Sequence, residues 1–112
     1  MSDIREITQA LIKFRDERNW KQFHNPKDLS LAVSIEAAEL NELFLWKGKD
    51  ELDGVDRQKV QDEMADILSF IFLLAENYNI DIKKAVLEKI EKNSKKYPVE
   101  KAKDNSSKYD QL

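Results

Sequence analysis

The chain has 112 residues, 19 lysines and arginines against 22 aspartates and glutamates, a net charge of −3, and no cysteine. That length points to a single domain spanning 1–112, the missing thiols exclude disulfides and thiolate metal sites, and the mixed charge argues against a general nucleic-acid binder. The start, MSDIREITQA, is unlike a secretion signal, and the longest apolar run (Ile67 to Ala75, with Ser69 inside) is too short to span a bilayer, so a cytoplasmic protein without membrane or nucleic-acid partners is expected.

Two glycines and two prolines leave long uninterrupted segments, the profile of an all-α domain. The spacing predicts a first helix over about Ile4–Arg18, with Ile4, Ile7, Leu11 and Phe14 as its apolar stripe. An aromatic-rich loop follows, with Trp20, Phe23 and His24. Asn25-Pro26 is a helix start, since Asn caps and Pro suits the first turn. The second helix is expected to reach about Trp46, with Gly48 just past its end and a polar loop to Val55. Asp56 caps a third helix running to about Tyr78. Its second half is apolar nearly all round, which predicts central burial or an oligomer interface. Asp81 caps a fourth helix that Pro98 stops near Lys95, leaving residues 97–112 as an irregular polar tail. Acids concentrate between Glu36 and Asp66, whereas lysines dominate from Lys83 to Lys108.

Four acids interrupt two apolar stripes. On the second helix, Glu36 falls among Ala32, Val33 and Leu40, and Glu39 follows three residues later, facing nearly the same way. On the third, Glu63 sits between Val60 and Ile67, with Asp66 three residues on. Ionised carboxylates lose several kcal/mol of hydration when buried alone, and like charges on one face add repulsion, so something positive must compensate, either a bound cation or lysines paired with acids at the stripe edges. An all-oxygen donor set suits Mg²⁺ or Mn²⁺ rather than Zn²⁺. A di-iron carboxylate site would need a histidine three residues after a glutamate on each of two helices; the only histidine, His24, lies in a loop.

The pair Glu36-Ala-Ala-Glu39 with Glu63-Met-Ala-Asp66 resembles the ExxE…ExxD signature of the all-α MazG-like nucleoside triphosphate pyrophosphohydrolases. Arg18-Asn-Trp-Lys-Gln-Phe-His-Asn-Pro26, Glu42-Leu-Phe-Leu-Trp-Lys47, Lys92-Asn-Ser-Lys-Lys-Tyr-Pro98 and the Lys108-Tyr109 pair resemble its dCTP pyrophosphatase branch. The resemblance implies a four-helix MazG-like bundle assembling as a homo-oligomer, more often a tetramer than a dimer. It implies cleavage of a nucleoside triphosphate between the α- and β-phosphates, dCTP or a modified triphosphate being the substrate. It also implies Mg²⁺ held by Glu36, Glu39, Glu63 and Asp66, with Glu36 or Glu39 as proton acceptor. Trp20, His24 and Trp46 are then candidates to wall the base, and Lys89, Asn93 and Lys96 to bind phosphates. Lys47, Phe70, Tyr97 and Tyr109 join the candidate substrate contacts. In this family's eukaryotic members a histidine replaces Leu11 and a tyrosine replaces Phe70, which leaves the preferred base open. The competing expectations are a related enzyme acting on dUTP or phosphoribosyl-ATP, and a non-enzymatic helical interaction module.

Overall fold

The computed structural model describes residues 2–112, and every regular element among them is helical. In chain order these are α1 (Asp3–Glu17), a 3₁₀ turn (Lys21–Phe23), α2 (Pro26–Glu42), a 3₁₀ segment (Lys49–Gly54), α3 (Arg57–Asn77), α4 (Ile82–Lys96), a single turn α5 (Val99–Ala102) and a 3₁₀ turn (Tyr109–Gln111). Two compact units divide the chain, one ending at Ile80 and the other running from Asp81 to Leu112.

The helix starts follow the expected caps. The Asn25 side chain accepts the Asp28 N–H at 2.9 Å, Asp56 that of Gln58 at 2.9 Å, and Asp81 that of Lys84 at 3.1 Å. Each satisfies a donor that the first helical turn leaves without a partner. Ser2 does the same for Arg5 at the head of α1.

The end of α2 differs from expectation. Regular helix stops at Glu42, four residues short of Trp46. Beyond it the backbone tightens into successive three-residue turns, Phe44 N–H to Asn41 O (3.0 Å), Leu45 to Glu42 (3.2 Å) and Lys47 to Phe44 (3.1 Å). The left-handed residue that closes the turns is Trp46, at φ 63°. Gly48, expected to stop the helix, is extended instead and precedes the 3₁₀ segment. The tail expected to be irregular contains α5 and a closing 3₁₀ turn. Tyr109 is held edge-on to Tyr97, ring centroids 6.0 Å apart, which gives the polar segment an aromatic anchor.

In the first unit α2 packs chiefly on α3, and α1 also rests on α3. Leu29, Leu73 and Ala75 are the buried apolar residues among those described, Leu29 being only 2% exposed. Along α2 the half-buried positions Ala32, Val33, Glu36, Leu40 and Leu43 continue from Leu29, so the expected stripe faces inward with Glu36 inside it. On α3, Val60, Glu63, Ile67 and Phe70 lie inward likewise. The helix is not buried all round: Met64 and Leu68 are exposed, about half of each reaching solvent.

The inward face of α1 is rotated from the expected stripe. Ile4, Leu11 and Arg15 are covered, whereas Ile7 and Phe14 are 45% and 49% exposed. Arg15 explains the rotation. It is 4% exposed, donates to Asp16 Oδ1 at 2.9 Å, and reaches Glu76 Oε2 on α3 at 3.2 Å. A guanidinium with two carboxylate partners can be turned inward where an unpaired one could not.

Candidate metal centre

The stretch Pro26 to Glu42 folds as α2 because Asn25 caps it and it continues with strong helix formers such as Leu, Ala and Glu. The turn geometry then carries Glu36 and Glu39 to one side. α3 faces α2 and presents Glu63 and Asp66 from the opposite wall. Carboxylate oxygens of Glu36, Glu39 and Glu63 all lie within 4.8 Å of one another. Glu36 and Glu63 are half-buried, and Glu39 stands on the exposed rim. Asp66 falls outside that tight group and adds its charge to the field around both buried glutamates.

The carboxylates of the cluster lack compensating partners from the chain itself. Glu36 Oε2 and Glu63 Oε2 are both buried without any hydrogen-bond partner. Burial, followed by hydrogen bonding and repulsion from Glu39, pushes the Glu36 carboxyl up to about 7. Burial and the Glu39 charge raise Glu63 as well. No lysine or arginine forms an ion pair with any of the four acids among the described residues. Orphaned carboxylate oxygens converging from two helices fit a hard divalent cation, whose charge removes the repulsion and takes up the free lone pairs.

The remaining expected site residues divide between the two units. In the first unit, Trp20 is partly covered by Phe14, ring centroids 5.7 Å apart at 74°, and the Arg18 guanidinium lies 3.7 Å from the Phe14 centroid. His24 is half-buried, with Nδ1 enclosed and unpartnered, and burial followed by the Arg15 charge lowers its pKa. Its carbonyl accepts the Asn77 amide at 2.8 Å, tying the loop to the end of α3. Trp46 is 90% exposed, Lys47 is exposed beside it, and Phe70 is half-buried one turn beyond Asp66.

In the second unit, Lys89, Asn93 and Lys96 recur on one face of α4. The Lys96 ammonium lies 4.9 Å from the Tyr109 ring centroid, and Tyr97 meets the same ring. Lys96, Tyr97 and Tyr109 are thus brought together. Arg15 escaped the sequence reading as a functional or structural centre. Its signal is the four-residue step from Leu11, which continues the covered face.

Comparison with known proteins follows the same residues. Residues 31–112 match the MazG-like family, a span that includes all four acids. The chain is 34% identical over 114 residues to dCTP pyrophosphatase 1 of Rattus norvegicus, covering 97% of this chain and 67% of that protein. It is 36% identical over 114 residues to dCTP pyrophosphatase 1 of Homo sapiens, with the same two shares. The crystal structure of a pyrophosphatase from Archaeoglobus fulgidus superposes with a TM-score of 0.83 at 38% identity, over 88% of this chain and 94% of that one.

Proposed function

The chain belongs to the MazG-like family and is a nucleotide pyrophosphohydrolase; from that premise we propose that it cleaves dCTP or modified triphosphates between the α- and β-phosphates, with Mg²⁺ held by Glu36, Glu39, Glu63 and Asp66. The observation that carries this reading is the cluster in which Glu36, Glu39 and Glu63 bring carboxylate oxygens within 4.8 Å of one another, with Glu36 Oε2 and Glu63 Oε2 buried and unpartnered. A site so rich in unneutralised acid repels a triphosphate by itself, so the cation is required for substrate to approach.

When bound, the ion supplies charge neutralisation and acidifies a coordinated water. The protein's own part is to fix the oxygens and to move the proton. Packing of α2 on α3 holds Glu36 and Glu63 at their separation without spending further entropy at the moment of reaction. Glu36 and Glu39 are the two candidates to take the proton from the attacking water. Glu36 is favoured by its raised proton affinity, Glu39 by its open position on the rim. His24 is held neutral by burial, so it meets a base as a hydrogen-bonding, uncharged ring.

Trp20, His24, Trp46 and Phe70 are assigned to the base, by aromatic character. Lys47, Lys89, Asn93, Lys96, Tyr97 and Tyr109 are assigned to phosphate and sugar, by charge and hydrogen-bonding capacity. Assembly into a homo-oligomer, a tetramer in preference to a dimer, belongs to the same reading. Its support is the apolar surface left on Leu31 and Ile35 of α2 and on Met64 and Leu68 of α3. A cytoplasmic location is proposed with it; no helix among the described residues is long and apolar enough to cross a membrane.

The test is pyrophosphate release from a panel of nucleotides with Mg²⁺, run on the wild type and on Glu63→Gln. dCTP or a modified dCTP should lead the panel. The variant should lose about a hundredfold or more of kcat/KM, since Gln keeps the shape and removes a ligand charge. Full activity in the variant would overturn the four-acid site, and a lead by dUTP or phosphoribosyl-ATP would reassign the substrate.

A further inference from the structure

The loop between α1 and α2 is held mainly by itself. Phe23 N–H donates to the Trp20 carbonyl at 2.9 Å, His24 N–H to that of Lys21 at 3.1 Å, and the Gln22 amide to that of Asn19 at 2.9 Å. No residue of the 3₁₀ turn Lys21–Phe23 is buried, and Phe23 is 61% exposed. A segment with so few buried apolar contacts opens at low free-energy cost. His24 is nevertheless half-buried, with Nδ1 enclosed and unpartnered. No hydrogen bond to that nitrogen fixes the ring, so the backbone sets its direction.

Among the described residues, one hydrogen bond ties this loop to a helix other than the two it joins. The Asn77 amide donates to the His24 carbonyl at 2.8 Å, across 53 residues. The anchor is firm. Asn77 is the last residue of α3, whose Leu73 and Ala75 are buried. The chain beyond turns back on the helix, Asn79 N–H donating to the Glu76 carbonyl at 3.1 Å and Ile80 N–H to that of Ala75 at 2.8 Å. A second tie runs beside the first. Arg15 donates to Glu76 Oε2 at 3.2 Å, and the Arg15 carbonyl accepts the Trp20 N–H at 3.0 Å. Two adjacent residues of α3 thus hold both ends of the loop, Glu76 the end bearing Trp20 and Asn77 the end bearing His24. Both stand about three helical turns past Asp66, clear of the acid cluster.

We propose that Asn77 is a positioning residue for the nucleotide. By pinning the His24 carbonyl to the end of α3, beside the Arg15–Glu76 pair, it keeps the Trp20–His24 loop in its receiving form before substrate arrives. This rests on the reading of Trp20 and His24 as nucleotide contacts, and adds the groups that preorganise them. Apparent affinity falls with the fraction of molecules whose loop is in the binding form. Releasing the loop therefore raises KM, while the remote carboxylates, and with them kcat, are untouched.

The experiment measures kcat and KM for dCTP with Mg²⁺, the melting temperature, and the imidazole proton signals of His24 with and without dCMP. His24 is the only histidine, so those signals need no assignment. In the wild type dCMP should shift them. Asn77→Ala should raise KM about fivefold with kcat held within twofold, and weaken dCMP binding in step, the size expected for one hydrogen bond that water can replace. Asn77→Gln keeps the donor on a longer arm and should restore part of the loss. Glu76→Gln, which weakens the second tie, should move KM the same way. A role in stability alone predicts a lower melting temperature in Asn77→Ala with KM unchanged. That result, or a fall in kcat at constant KM, would overturn the proposal. So would wild-type His24 signals that ignore bound dCMP, since the loop then meets no nucleotide whatever the acids hydrolyse. If the wild type hydrolyses no triphosphate, the catalytic reading fails by itself. Binding of dCMP that shifts His24 and weakens in Asn77→Ala would still support the positioning role, and dCMP that does not bind would refute it.

Discussion

Protons and metal should compete for the acid cluster, and the competition can be sized. Burial and the neighbouring acids push the Glu36 carboxyl up to about 7. At pH 8 it is about 90% ionised and at pH 5.5 about 3%, so Mg²⁺ affinity should fall about 30-fold over that interval from Glu36 alone. That corresponds to about 2 kcal/mol. Glu63, raised in the same direction, adds to the loss. The metal-free protein should behave in the opposite sense. A carboxyl whose pKa is higher folded than unfolded binds more protons when folded. Its contribution to stability is complete below about 4.5 and is lost as pH rises through about 7. Thermal unfolding at pH 5.5 and pH 8, with and without millimolar Mg²⁺, reads both slopes. Without metal the melting temperature should decline toward pH 8. With metal the gain should be larger at pH 8 than at pH 5.5, by up to about 10 °C, from the binding term and the entropy of a domain this size. A Mg²⁺-induced gain equal at the two pH values, or absent at both, would refute the argument.

Arg15→Met should lower stability by about 2–3 kcal/mol. It strands the partly exposed Glu76 and Asp16 rather than a fully buried acid, and denaturant melts will measure the loss. Leu29→Ala should cost about 3 kcal/mol in the same assay, because the side chain is 2% exposed between packed helices. Trp46→Gly should leave stability unchanged or raise it by up to about 1 kcal/mol by relieving the left-handed backbone, while weakening nucleotide binding. A melting temperature that holds or rises together with a raised KM checks that pair of effects. Sedimentation of the wild type should give a mass above that of one chain, and Leu68→Glu should reduce it, since Leu68 lies on the open side of α3.

Much of the molecule follows from local chemistry. Asn25, Asp56 and Asp81 mark the starts of α2, α3 and α4 because each side chain satisfies a donor only a few residues away. The inward placement of Glu36 and Glu63 also follows from helical spacing alone, since the azimuth of a residue is fixed by its own helix. The stop of α2 was less legible. Leu43 to Trp46 carry no proline or glycine, and nothing local forbids another helical turn.

Local spacing is thus enough for the all-helical class, the caps, and two acid pairs set into apolar stripes. The fold decides how the acids meet. Glu36, Glu39 and Glu63 bring oxygens within 4.8 Å of one another and Asp66 lies outside that tight group, because convergence depends on how α2 meets α3 and not on spacing within either helix. It also decided which face of α1 turns inward, through an Arg15–Glu76 pair separated by 61 residues. Periodicity fixes angles within one helix. It carries no information about a partner that only folding brings near.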